Sequence, residues 1–101
     1  MSEWNPTTLE ELNKLVLDQL SVSSPDIRSI FERYRVVFYQ SPIVRYGSHE
    51  YVYVVAQRGD EVIYYEDVER GFNISRIDVD KNILEHWCNQ DDLGQALIRW
   101  R

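Results

Sequence analysis

Three side chains supply the reactive chemistry open to this chain near neutral pH: the thiol of Cys88 and the imidazoles of His49 and His86. A thiol beside a histidine base would make an activated nucleophile. His86 and Cys88 are two residues apart, and the sequence predicts a helix there, which sets them about 200° apart around the axis. They would then face opposite sides, leaving only His49, brought in by the tertiary fold, to serve Cys88 as a base. A free cysteine otherwise packs as a small apolar group, and His86 reads as a partly exposed helix residue. An enzyme or small-ligand reading therefore needs a pocket between helices and sheet that holds His49, His86 or Cys88.

The same residues are too few for a closed four-ligand zinc site, and no paired-ligand spacing occurs. Asp78-Val79-Asp80-Lys81-Asn82 opens like a calcium loop. Ile83, however, stands where that loop needs its turn glycine, and Asn89 where it needs a bidentate glutamate. Helix capping accounts better for these aspartates, and neither metal nor cofactor is expected. Arg58-Gly59-Asp60 sits where a hairpin needs a glycine, and Asn73-Ile74-Ser75 matches a glycosylation sequon that matters only in a secretory pathway. Glycine-rich phosphate loops, nucleophile elbows and paired-histidine zinc helices are all missing from the sequence.

Binding chemistry is better supplied. Tyr39, Tyr46, Tyr51, Tyr53, Tyr64 and Tyr65 all fall in or beside segments of strand character. Tyr51 and Tyr53 share one strand face, opposite Val52 and Val54. If the valine face packs on helices, the tyrosine face points outward as an amphipathic aromatic surface suited to protein contact. Asp60, Glu61, Glu66, Asp67 and Glu69 follow with no base among them. Tyr51, Tyr53, Tyr64, Tyr65, Glu66, Asp67 and Glu69 are thus the expected partner surface, and a basic protein is the expected partner. Opposed to this stands a purely structural reading, in which tyrosines fill the half-exposed face of a sheet and a charge run is simply solvated.

Helices and strands must position these groups. Thr8 and Glu11 form a capping box for a helix of about Thr8 to Leu20 that carries Leu9, Leu12, Leu15, Val16 and Leu20 on one stripe. Ser24 caps a second helix with Pro25 at its first position and an Ile27, Ile30, Phe31, Tyr34 face. Strand periodicity then takes over at Val36–Tyr39, Ile43–Tyr46, Tyr51–Ala56, Val62–Tyr65 and Phe72–Ser75. Pro42 implies an edge strand or a bulge, and Gly47-Ser48-His49-Glu50 reads as a turn. Asp78 or Asp80 is expected to cap a helix through Ile83, Leu84 and Trp87, and Asp91 a second through Leu93, Ala96, Leu97 and Trp100. The fold class is α+β: two N-terminal helices, a three- to four-stranded antiparallel meander, and C-terminal helical segments packed on one sheet face, leaving the other open. Trp87 is expected to be more buried than Trp4.

With 101 residues the chain is expected to form a single domain, and 44% hydrophobic residues against 28% charged exclude long disorder. Seventeen acids against eleven bases give a net charge of −6, which repels nucleic-acid phosphates. No apolar run is long enough to span a membrane, and a single cysteine fits a reducing cytoplasm. The resulting expectation is a small acidic cytoplasmic protein that binds another protein, for instance as an immunity- or antitoxin-like inhibitor matched in charge to a basic toxin. Self-association through a strand edge or the tyrosine face would give a homodimer instead.

Overall fold

The computed structural model describes residues 6–45, 47–87 and 89–101. In chain order these form α1 (Leu9–Ser21), α2 (Pro25–Tyr34), β1 (Arg35–Arg45), β2 (Ser48–Arg58), β3 (Glu61–Glu66), β4 (Gly71–Arg76) and α3 (Leu93–Ile98). Every strand pair is antiparallel and the sheet order is β1-β2-β3-β4, so the chain is an α+β meander flanked by helices.

Both N-terminal helices begin where their capping chemistry places them. The Thr8 side chain accepts from the Glu11 amide while the Glu11 carboxylate accepts from the Thr8 amide, closing the box that starts α1. Ser24 Oγ accepts from the Ile27 amide, and Pro25 occupies a first-turn position whose missing N–H would have found no helical partner. Leu12 and Val16 of α1, with Ile27 and Phe31 of α2, bury against the sheet.

Pro42 lies in an edge strand, as its missing amide requires, but β1 runs through it without a break. The irregularity falls earlier, where Val36–Phe38 bulge between the Arg35↔Ala56 and Tyr39↔Val54 pairs. The expected four-residue turn after β1 is also shorter than its sequence suggests. Gly47 takes a φ of 75°, and Ser48, His49 and Glu50 already belong to β2.

A second bulge, at Val55, turns both Val55 and Ala56 toward the helices. That layer holds Leu12, Val16, Phe31, Val55, Ile63, Phe72, Leu93, Leu97 and Trp100, with Tyr53 and Tyr65 on the same side. The expected facing is therefore reversed: the tyrosine face packs on the helices. Its partners Val52, Val54, Val62 and Tyr64 build a separate core on the opposite face with Ile43, Ile77 and Ile83.

The opposite face is not open either. Instead of the expected helix through Ile83 and Trp87, residues 77–87 and 89–92 form a non-helical strap across it. Ile83 N–H donates to Pro42 O in β1 at 2.8 Å and Leu84 N–H to Arg76 O in β4 at 3.1 Å. Adjacent strap residues thus bond to the two outer strands, which requires the sheet to curl around its second core. A helix, whose amides bond within itself, would not have paired with those edge carbonyls. Asp78 caps no helix; its carboxylate accepts from the amides of Asp80 and Asn82 in a tight turn that sets Lys81 at φ 63°. The C-terminal helix is only α3, capped by Asp92 with Gln95 rather than by Asp91. Trp87 is 50% exposed, and Trp4, with which its burial was to be compared, lies outside the described residues.

Candidate functional site

Strand alternation places Gln40, Pro42, Val44, His49, Tyr51 and Tyr53 on one face of the β1–β2 ribbon. β3 pairs only with residues 53–58 of β2, so the far end of the ribbon projects past β3. Tyr51 is 61% exposed and Val44 58% there. Where the ribbon meets the segment leading into α1, Tyr51, Tyr53, Tyr65, Asp67, Gln40 and Thr7 line a cleft of about 30 Å³. Four of the residues expected to bind a partner, Tyr51, Tyr53, Tyr65 and Asp67, are therefore brought together.

The others are not. Tyr64, Tyr65 and Glu66 are buried, so of these only Tyr65 reaches the cleft wall, and Tyr64 and Glu66 face the opposite core. Tyr64 holds the strap: its hydroxyl accepts from Trp87 N–H at 2.8 Å and lies 3.2 Å from Glu85 O. Glu69 is half-buried beside the cleft strand's end, outside the cleft lining. The acidic stretch that looked like a solvated run thus contains a fully buried carboxylate.

Glu66 anchors a charged network that composition alone did not reveal. Arg45, on the concave face of β1, donates through Nη1 to Glu66 at 2.5 Å and through Nη2 to Glu50 and Asp67 at 3.0 Å each. Its side chain is only 1% exposed. His86 of the strap meets the second Glu66 oxygen at 2.8 Å, and the Val68 amide donates to the first. Burial works against the Arg45 charge, but hydrogen bonds and attraction from Glu50, Glu66 and Asp67 outweigh it and hold the guanidinium above its ordinary pKa. Asp67 joins the two sites, because its other oxygen accepts from the Thr7 amide at the cleft. The sequence carried one part of the signal, an arginine two residues from Ile43 on the same face of a predicted strand; its acidic partners follow from register.

The charge does not cancel. Glu50, Glu66 and Asp67 oppose one guanidinium, and a protonated His86 would add one positive charge, so the network stays anionic in either state of the imidazole. Around the Tyr65 hydroxyl, burial raises the pKa, with Arg70 acting against it and Asp67 and Glu11 adding to it. Of these charged groups only Asp67 lines the cleft itself.

No known family model, curated protein or solved structure matches the chain. Its chemistry must be read from the geometry. His49 lies on the Tyr51 face and His86 on the opposite one, so the sheet separates the two imidazoles. Cys88 lies outside the described residues. Among the described residues no group of three or more His, Cys, Asp or Glu side chains is placed to hold a metal ion; in the acidic network Arg45 occupies the cation's place. Among them, too, no helix is long and apolar enough to cross a membrane. Asn73 and Ser75 of the sequon are buried in β4, and Asn73 Nδ2 donates to Asn89 O. Arg58-Gly59-Asp60 forms the β2–β3 turn, with Gly59 at φ 63° and Arg58 paired to Glu61.

Proposed function

We propose that this chain is a non-enzymatic binding module for a basic protein, working in the cytoplasm to which its single cysteine is suited. One observation carries the reading: an exposed tyrosine, Tyr51, flanks a cleft backed by an anionic network that its own arginine does not neutralise. Tyrosine gives large contact area with few rotatable bonds, and uncancelled buried charge projects through low dielectric to the nearest solvent-facing point. A small acidic inhibitor that covers the basic surface of a toxin is one concrete form of such a module.

The test is a photo-crosslinking phenylalanine analogue at position 51, with the same analogue at Leu17, an exposed residue of α1, as control. A basic protein joined from position 51 but not from position 17, and released by raised salt, is the expected result. Equal adducts from both positions, or an acidic partner, would overturn the reading. An adduct of the chain with itself would replace it by self-association.

A further inference from the structure

We infer that a second copy of this chain docks on the groove between the end of α1, the start of α2 and α3, through an interface separate from the Tyr51 surface. Val22, Ile27 and Ile98 give this groove its apolar lining, and Gln19, Gly94 and Asp92 also face it. Val22 is 86% exposed and Ile98 about half. One surface thus carries both a recess and an unburied aliphatic side chain beside it, which is what pairing about a two-fold axis requires.

Charge selects the occupant. Asp18, Asp26, Arg28, Asp91 and Arg99 adjoin the lining in sequence; Lys14 pairs with Asp18, Arg99 with Asp91 and Arg101 with Asp26. With Asp92 this makes four acids and four bases, so the whole net charge of −6 is carried by the rest of the chain. A second copy is repelled across that acidic remainder and meets no net repulsion here.

Two of these charges are not matched within the chain. Arg28 donates to Ser23 O, and the Asp92 carboxylate accepts from the Gln95 amide; among the described residues neither forms an ion pair. Both are exposed, and they lie on different elements flanking the groove. A two-fold arrangement lets Arg28 of each copy meet Asp92 of the other, so a single pairing is made twice.

Sedimentation equilibrium of the full chain at rising concentration tests this. The mass should climb from one chain towards two with a dissociation constant on the order of 100 μM, as a small patch dictates. V22E puts a carboxylate at an exposed position and should weaken the dimer about tenfold. R28Q and D92N, the latter keeping a competent helix cap, should each weaken it about fivefold, and the double variant no more than either alone. Matched amide spectra confirm that each variant folds. Y51A should leave the dimer intact, because Tyr51 lines the cleft beside Thr7, before α1, whereas Gln19 and Val22 stand at the far end of that helix.

The mass of a single chain up to about 1 mM, a dimer indifferent to V22E, additive losses from R28Q and D92N, or a dimer abolished by Y51A would each overturn the helical interface. The basic-partner reading stands or falls separately, on the adduct from position 51.

Discussion

Arg45 and Gly71 show how little freedom individual positions retain. Arg45 and Glu66 are fully desolvated, so removing either leaves the other charge buried and incompletely matched. R45M should lower stability by about 3–5 kcal/mol in urea denaturation, the usual cost of breaking such a pair from one side. E66Q should lower it less, because the amide still accepts from Arg45 and the Val68 amide. An unchanged midpoint in R45M would mean the network is solvated. Gly71 is tight for a different reason: a Cβ there would sit 2.5 Å from Gln90 Cα and closer still to Asn89 O, both backbone atoms of the strap. G71A should therefore cost roughly 1–3 kcal/mol through displaced backbone. Gly94 is the control, since a Cβ on that α3 residue would meet nothing nearer than 3.5 Å. G94A should raise stability by about 0.5–1 kcal/mol through helix propensity, and a loss there would contradict the packing described.

Among the elements, the strap decides how the sheet faces are used, and the sequence hides it. Thr8, Glu11, Ser24 and Pro25 announce α1 and α2 because capping is a local transaction between neighbours in sequence. The β-branched and aromatic runs mark all four strands for the same reason. Ile83, Leu84 and Trp87 also satisfy helical spacing, but partners distant in sequence override it: Pro42 O, Arg76 O and the Tyr64 hydroxyl capture the strap backbone. That misreading carried the facing of the sheet with it, because a second cover for the valine face was not foreseen. The cleft was half legible: Tyr51, Tyr53 and Asp67 stood out by type, while the Arg45 network depends on register, which no single strand encodes. Y64F tests the strap. Loss of the hydroxyl leaves the Trp87 amide without that acceptor and should cost about 1–3 kcal/mol, with faster hydrogen exchange concentrated between Glu85 and Trp87. Exchange that accelerates evenly across the sheet would show that Tyr64 acts through core packing instead.

For the molecule as a whole, the strap and the two tyrosine environments set opposite ends of the pH–stability profile. Asp78 is held below the ordinary aspartate value by its side-chain bond from Asn82 and by backbone donors, and Glu85 below the glutamate value by the Arg76 amide and guanidinium. Both carboxylates are easier to ionise folded than unfolded. Their contribution is fully present above the ordinary values of 3.8 and 4.5 and is lost as pH falls through the lowered folded values. Tyr39 and Tyr65 are displaced the other way, chiefly by burial, so each is harder to ionise folded than unfolded. Their contribution is present below the ordinary value of 10.0 and is lost as pH rises beyond it. Urea midpoints should therefore be level between these limits and fall on both sides. E85Q should lower the neutral-pH midpoint slightly and flatten the acid limb, because the amide cannot ionise and so carries no pH-dependent gain. Y65F should leave the acid limb intact and flatten the alkaline one. An alkaline limb unchanged in Y65F would shift that end to Tyr39, whose ring also stacks under the Lys81 ammonium at 4.7 Å, and Y39F would then be the variant that removes it.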